Sequence, residues 1–405
     1  MNVWKMAWRN VLRNRRRSAV TISAMAFALF VEVLYAGLIP GYIGAMEEDV
    51  VNLQLGDAQI HADGYRNNPS IYTVIEDPGP VLAKLDELGY PAAPRLMGGG
   101  LAAAGDFSSG VALRALDLER ETEEVSGVSG KVADGAWLDR SEPRGVVIGR
   151  RLARTLNVKP GGELLILSQA TDGSMAHELY TVRGILSAIA DATDRAIVYM
   201  TDTAFRELMV MPTGAHQIVV RRPRTVPLDD AMPHIVASAP GLEAKSWKQL
   251  MPIIAQMMQS VSGLIYILYF IIYTAVGILI LNAMLMAVFE RIKEFGVFKA
   301  IGAGPGRVFE LIVTEAAIQT VIALFVGLIA ALPGMYYLAK HGWDVGALGG
   351  MGVMGVSMRQ VWYGYYTPET LAGPVIMLFV IVGLSVWYPA LKAAFISPVE
   401  AMRHQ

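Results

Sequence analysis

Carboxylates and histidines are the residues of this chain whose placement could do chemistry. Glu32 stands alone: between Arg17 and Glu47 there is no other charged residue. A carboxylate in so apolar a run is costly in lipid, so it faces protein interior or water. Two readings of Glu32 stand. One is a polar contact in a lateral substrate cavity or at a subunit interface; the other is a protonated carboxyl hydrogen-bonded to a neighbouring helix. A second cluster is Glu290, Arg291, Lys293 and Glu294, followed by Phe295, Val297, Phe298, Lys299 and Ile301. Acids there bracket bases on a short amphipathic helix, and the apolar residues offer knobs for a partner's groove. Gly302 and Gly304 end that helix, and Pro305 keeps it from continuing. Enzymatic signatures do not occur. There is no GxxxxGK[ST] phosphate loop and no GxSxG elbow. His61, His177, His216, His234, His341 and His404 form neither HExxH nor an i, i+4 pair. No catalytic residue, resident metal or bound cofactor is therefore expected, and the chain is not expected to be an enzyme.

The elements that must position these residues follow from composition. Of 405 residues, 54% are hydrophobic and only 17% charged, against about 25% charged in a soluble domain. That excludes a purely soluble or disordered chain, and the lack of cysteine excludes a disulfide scaffold. A net charge of −2 gives no reason to expect nucleic acid. Charge-poor windows predict transmembrane helices over 18–45, 249–289, 309–339 and 370–391, each long enough for the roughly 20 residues a span needs. The second window is longer, and its more polar start (Gln249, Gln256, Gln259, Ser260) predicts a helical stalk running into the span. Lys5, Arg9, Arg13 and Arg15 to Arg17 precede the first span. Arg291, Lys293, Lys299 and Arg307 lie between the second and third, and Lys392 and Arg403 follow the fourth. Basic loops face the cytoplasm, so 1–17, 290–308 and 392–405 are expected inside, and 46–248 and 340–369 outside. Residues 1–17 predict an interfacial helix with Trp4, Trp8, Val11 and Leu12 on one stripe beside a basic face. Trp362, Tyr363, Tyr365 and Tyr366 read as an aromatic belt, and Gly-rich 348–356 as a mobile or membrane-skimming loop.

The 46–248 region reads as α+β. A strand at 57–62, a helix from Asp77 to Leu88 and a strand at 95–104 form one β-α-β; a strand at 215–222, a helix at 228–238 and a strand at 242–247 form another. Between them, 108–213 reads as a mostly β insert with a helix at 149–156 and strands at 163–168, 177–185 and 196–200. The lobes are thus expected at 46–107 with 214–248, and at 108–213.

Several stretches resemble a known family. ERIKEFGVFKAIGA over 290–303, AWRNVLRNRRRS over 7–18, YPALKAAFISPVEAMR over 388–403 and GRRLARTLNVKPGGELLIL over 149–167 are similar to the FtsX/MacB/LolE superfamily of ABC-transporter permeases. The resemblance implies an α-helical membrane protein with four transmembrane helices and a MacB-like periplasmic domain, a split porter lobe with a β-rich insert. It implies a dimer with a second copy or a paralogue, on two copies of a separate ATPase that hold ATP and Mg. It also implies a type VII, mechanotransmitting permease in the bacterial inner membrane, with both termini cytoplasmic. Glu290, Arg291, Glu294, Phe295, Phe298, Lys299, Ile301 and Gly302 are then expected to couple to the ATPase. GDAQIHADGYR over 56–66 resembles the lipoprotein-releasing (LolC/LolE-type) branch, and the MacB branch's fused ATPase is not found before the first span. That implies lipoprotein or other acylated cargo, passed on with a periplasmic chaperone. Acyl chains would enter between the first two spans, with Phe27, Phe30, Glu32, Leu34, Leu38, Ile265 and Tyr269 as expected lining. FtsX-like signalling to envelope enzymes, and MacB-like drug or peptide efflux with an adaptor, are the competing expectations.

Overall fold

The chain is described here from a computed structural model covering residues 3–187, 189, 191–344 and 361–397. The glycine-rich 348–356 loop, Arg403 and the rest of the tail, and the side chain of Ile265 lie outside the described residues. Two compact units form. Among the described residues, one comprises 3–44, 257–344 and 361–397, and the other those between 45 and 256.

The first helices are α1 (Val3–Arg13) and α2 (Arg15–Val50), the latter passing into a π-helical turn at Val51–Leu55. Gly56 ends it at φ 72°, where a Cβ would meet Val219 at 2.4 Å, so glycine is required twice over. The sheet region then runs β1 (Ala58–His61), α3 (Gly79–Glu87), β2 (Ala92–Ala104) and β3 (Phe107–Leu116). Next come β4 (Val132–Gly135), β5 (Gly145–Ile148), α4 (Arg150–Thr155), β6 (Glu163–Gln169) and β7 (Met175–Leu186). It continues with α5 (Asp191–Ala196), β8 (Ile197–Thr201), α6 (Asp202–Met209), β9 (Gln217–Val220), α7 (Leu228–Ser238) and β10 (Glu243–Ser246). One turn, α8 (Trp247–Leu250), is closed by a capping box between Ser246 and Gln249. The chain continues with α9 (Pro252–Glu290), α10 (Ile292–Ala300), α11 (Pro305–Lys340), the two-residue strands β11 (Trp343–Asp344) and β12 (Val361–Trp362), which pair antiparallel, and α12 (Pro368–Phe395).

Among the described residues the outer strands form one ten-stranded sheet, ordered β10-β1-β9-β2-β3-β8-β5-β7-β4, with β6 bridging β2 and β7. The two expected β-α-β units occur as β1-α3-β2 and β9-α7-β10. They are not separated from the insert by a break in pairing. Ala92 to Arg95 of β2 pair with β9, while Arg95 to Ala104 pair with β3. One long strand serves both regions. Their apolar faces still form distinct cores: α3 and α7 cover Ile60, Ile218 and Val220, whereas α4 and α6 cover Val146, Ile166 and Met200.

The helical unit has four helices long and apolar enough to cross a membrane among the described residues: 15–53, 252–290, 305–340 and 368–395. The third and fourth of the expected windows sit inside longer helices, and the second starts at Pro252, because Gln249 is committed to the preceding cap. Met25, Leu29 and Val33 of α2, Ile280 and Val288 of α9, Ala323 of α11 and Val382 of α12 share one core with Ala7 and Val11 of α1.

Candidate coupling site

The segment expected to couple contains α10, a helix of nine residues. Its sequence predicts four outward knobs, and the fold keeps only two. Phe295 is 3% exposed and packs in the bundle core, and Phe298 is half-buried against the same core. Val297 and Ile301, four residues apart, are 49% and 81% exposed. The reason is helical phase: an apolar residue every third position cannot keep all its members on one face. Gly302 at φ 101° ends the segment, and its amide donates to the Lys299 carbonyl at 2.9 Å.

Every other helix of the bundle end holds α10 or the residues beside it. Arg13 of α1 grips both oxygens of Glu294, at 2.7 and 3.0 Å. Arg17 of α2 pairs with Glu290 at 2.8 Å and lies 3.7 Å from Glu315 of α11. Arg291 donates to Glu294 at 2.9 Å and to Glu315 at 3.0 Å, and its guanidinium lies over the Phe295 ring. The Lys299 ammonium donates to the carbonyls of Ala394 and, at 2.7 Å, Ile396, at the end of α12. Partial burial raises the Glu294 pKa, but Arg291 and Arg13 outweigh it and leave the carboxyl below its ordinary value. Burial pushes the Lys299 ammonium down.

The expected cavity residues whose side chains are described differ widely in burial. Phe27 is exposed and stacks on half-buried Phe30 at 6.2 Å. Leu34 packs against Gly334 of α11, where a Cβ would meet it at 3.0 Å, and Leu38 is buried. Tyr269 is half-buried in the shared core. Glu32 is fully buried beside Tyr273, and neither carboxylate oxygen meets hydrogen-bond geometry; the Tyr273 hydroxyl donates instead to the Pro374 carbonyl at 2.6 Å. An apolar groove of about 430 Å³ opens elsewhere, between α11 and α12, along Phe309, Val313, Thr320, Phe379, Gly383 and Trp387.

The aromatic segment before α12 is also more than a belt. Tyr366 fills a notch at Gly37 of α2, where a Cβ would approach its ring to 2.0 Å, and its hydroxyl donates to the Leu34 carbonyl at 3.2 Å. The Tyr363 carbonyl occupies the matching place at Gly41. Gly37 and Gly41 at i, i+4 were the available signal.

Residues 266–398, from within α9 through α12, match the FtsX-like permease C-terminal family. These residues are FtsX-like. The chain is also 24% identical over 175 residues to the macrolide export ATP-binding/permease protein MacB of Rhodopirellula baltica, covering 42% of this chain and 22% of that protein. It is 28% identical over 129 residues to the uncharacterized ABC transporter permease YknZ of Bacillus subtilis, covering 32% and 28%. The aligned part thus spans less than a third of either relative. The periplasmic region of MacB from Actinobacillus actinomycetemcomitans aligns with 49% of this chain and 91% of its own, at 13% identity and a TM-score of 0.36. The likenesses are to FtsX/MacB-type ABC permeases, and no branch within that group is singled out.

Proposed function

We propose that this chain is the membrane permease subunit of an FtsX/MacB-type ABC transporter, taking up the work of a separate ATPase at α10. One observation carries this reading. The FtsX-like region contains a short helix that is held on every inner side yet presents Val297 and Ile301 outward. Two large apolar residues on the free face of a tethered helix suit a groove on a partner. On this reading 46–248 lies outside the cell membrane, the termini lie inside, and the subunit works as a dimer over two ATPase copies that hold ATP and Mg.

The cargo we favour is lipoprotein or a similarly acylated molecule, drawn from the outer leaflet of the inner membrane and passed to a periplasmic chaperone. The support is the similarity of 56–66 to the lipoprotein-releasing branch. Depletion of the protein is expected to leave lipoproteins on the inner membrane, as read by membrane fractionation; unchanged sorting rejects this cargo. Similarity to the R. baltica MacB favours a second reading, efflux with a periplasmic adaptor. Deletion would then change sensitivity to exported drugs and leave lipoproteins in place. For either cargo, Ile301→Asp is expected to abolish retention of the ATPase on the purified permease.

A further inference from the structure

Six charged side chains from five segments meet where α1, α2, α9, α10 and α11 come together. Arg13, Arg17 and Arg291 face Glu290, Glu294 and Glu315, and the set is neutral. Its inner members, Arg291 and Glu315, have side chains 10% and 5% exposed. Its outer members, Arg13, Glu290 and Glu294, are 57%, 51% and 49% exposed. Glu294 is shared: Arg291 orients the carboxylate from within, and Arg13 takes it from α1. Apolar packing backs the same joint, because Ala7 and Val11 of α1 are buried in the core that holds Phe295 and Val308. The other side of α1 leaves Trp4, Trp8 and Leu12 exposed. The stripe expected from spacing is therefore divided: Val11 faces protein, and only the other three are free for a membrane surface.

We propose that this network locks α1, the first turns of α2, α10 and the first turns of α11 into one block, with Glu315 and Arg291 as positioning residues. The N-terminal helix then belongs to the element that receives force; it is more than a membrane anchor. The inference rests on the reading of α10 as the ATPase contact for its consequence, but the joint itself can be tested without an ATPase. A lone exposed ion pair holds little. A pair whose carboxylate is already oriented by a buried arginine costs less side-chain freedom to form, and so can transmit displacement between helices.

The test uses the full chain in detergent, with hydrogen exchange read at the amides of α1 and α10. Arg13→Glu is expected to speed exchange in both helices by about two- to fivefold, the range of a single exposed pair. The swap Arg13→Glu with Glu294→Arg is expected to restore it. Exchange unchanged in Arg13→Glu, or a swap no better than either single change, overturns the block. Arg13→Gln serves where the reversal prevents folding. In the complex with the co-purifying ATPase, vanadate-trapped nucleotide is expected to change exchange in α1 as well as α10, and Arg13→Glu to confine the change to α10. A nucleotide response in α10 that never reaches α1 in the unaltered chain also overturns it. Failure of any ATPase to co-purify counts against the proposed function, while the detergent result still decides the joint.

Discussion

Both units bury an arginine–glutamate pair, and the two are built differently. In the sheet unit, Arg95 of β2 and Glu121, in the loop after β3, are each 3% exposed and pair through two contacts, one of them at 3.1 Å. Each is the other's main counter-charge, and Ala93, Val125 and Val219 form a small apolar cluster in the same region. In the helical unit, Arg291 divides itself between Glu294 and Glu315, and both glutamates have further arginine neighbours. The first arrangement fixes a loop to a strand with both charges out of water. The second grades from buried to exposed and gives Arg17, Arg291, Glu294 and Glu315 two opposite charges each. A fully buried pair is a pin; a shared series is a joint that keeps its charges matched while helices shift.

The largest expected effect comes from breaking the pin. Glu121→Gln takes the carboxylate charge away from buried Arg95 and is expected to cost about 3–5 kcal/mol of sheet-unit stability, read by urea denaturation. Replacing both residues with apolar ones of similar size is expected to recover most of that. A cost below about 1 kcal/mol for the single change would erase the contrast between the two pairs.

The sheet unit also buries two histidines, His61 and His216. His61 is 1% exposed, stacks on Tyr65 at 5.3 Å, and pairs across the strands with Gln217. Burial, with a smaller contribution from Arg66, pushes its pKa from 6.5 down to about 4, against the smaller opposing pulls of Gln217 and then Glu243. The unfolded chain therefore binds a proton that the folded one refuses. Stability is expected to be full above pH 6.5 and to fall as pH drops toward 4, by up to on the order of 3 kcal/mol. His61→Phe should flatten that slope in thermal melts taken across the window.

Glu315→Gln in the joint is expected to cost less than the pin, about 1–3 kcal/mol, because Glu294 remains on Arg291. The double change with Glu294→Gln should exceed the sum of the two singles, since each carboxylate covers for the other. Simple additivity in thermal unfolding would show that the partners are not shared in the way the geometry suggests.

Much of this architecture was legible in the chain's patterning. The four long helices follow from runs with almost no charge, and β1, α3, β9, α7 and β10 fall close to their predicted places because local alternation and proline–glycine punctuation carry them. The β3, β4, β5 and α6 elements were not read out, since β4 and β5 are only four residues each and gain their pairing from distant strands. The joint was half legible. Glu290, Arg291 and Glu294 stand together in sequence, but Arg13 is 281 residues from Glu294, and no periodicity reports a contact at that separation. Glu315 lies near the start of the expected 309–339 span, just before its charge-free part, where it reads as a flank and not as the buried acceptor of Arg291. Phe295 shows the reverse error: an apolar residue in a cytoplasmic loop suggests a partner, and here the partner is the protein's own core.

The smallest effect belongs to the outer edge of the joint, and it separates stability from transmission. Arg13→Ala removes a half-exposed pair and is expected to change stability by less than about 1 kcal/mol, shrinking further in high salt. Acid should act at the same place. The folded-state pKa of Glu294 is lowered, so its contribution is present above the ordinary carboxylate range and is lost as pH falls through the lowered value. Exchange in α1 is therefore expected to stay constant from pH 7 down to about 4.5, after correction for intrinsic rates, and to rise below that. In Arg13→Ala the acid step at α1 should vanish while the His61 slope of the sheet unit persists. An acid step at α1 unaffected by the loss of Arg13 would mean that Glu294 holds α10 through Arg291 alone, and the helical unit would then carry a second pin in place of a joint.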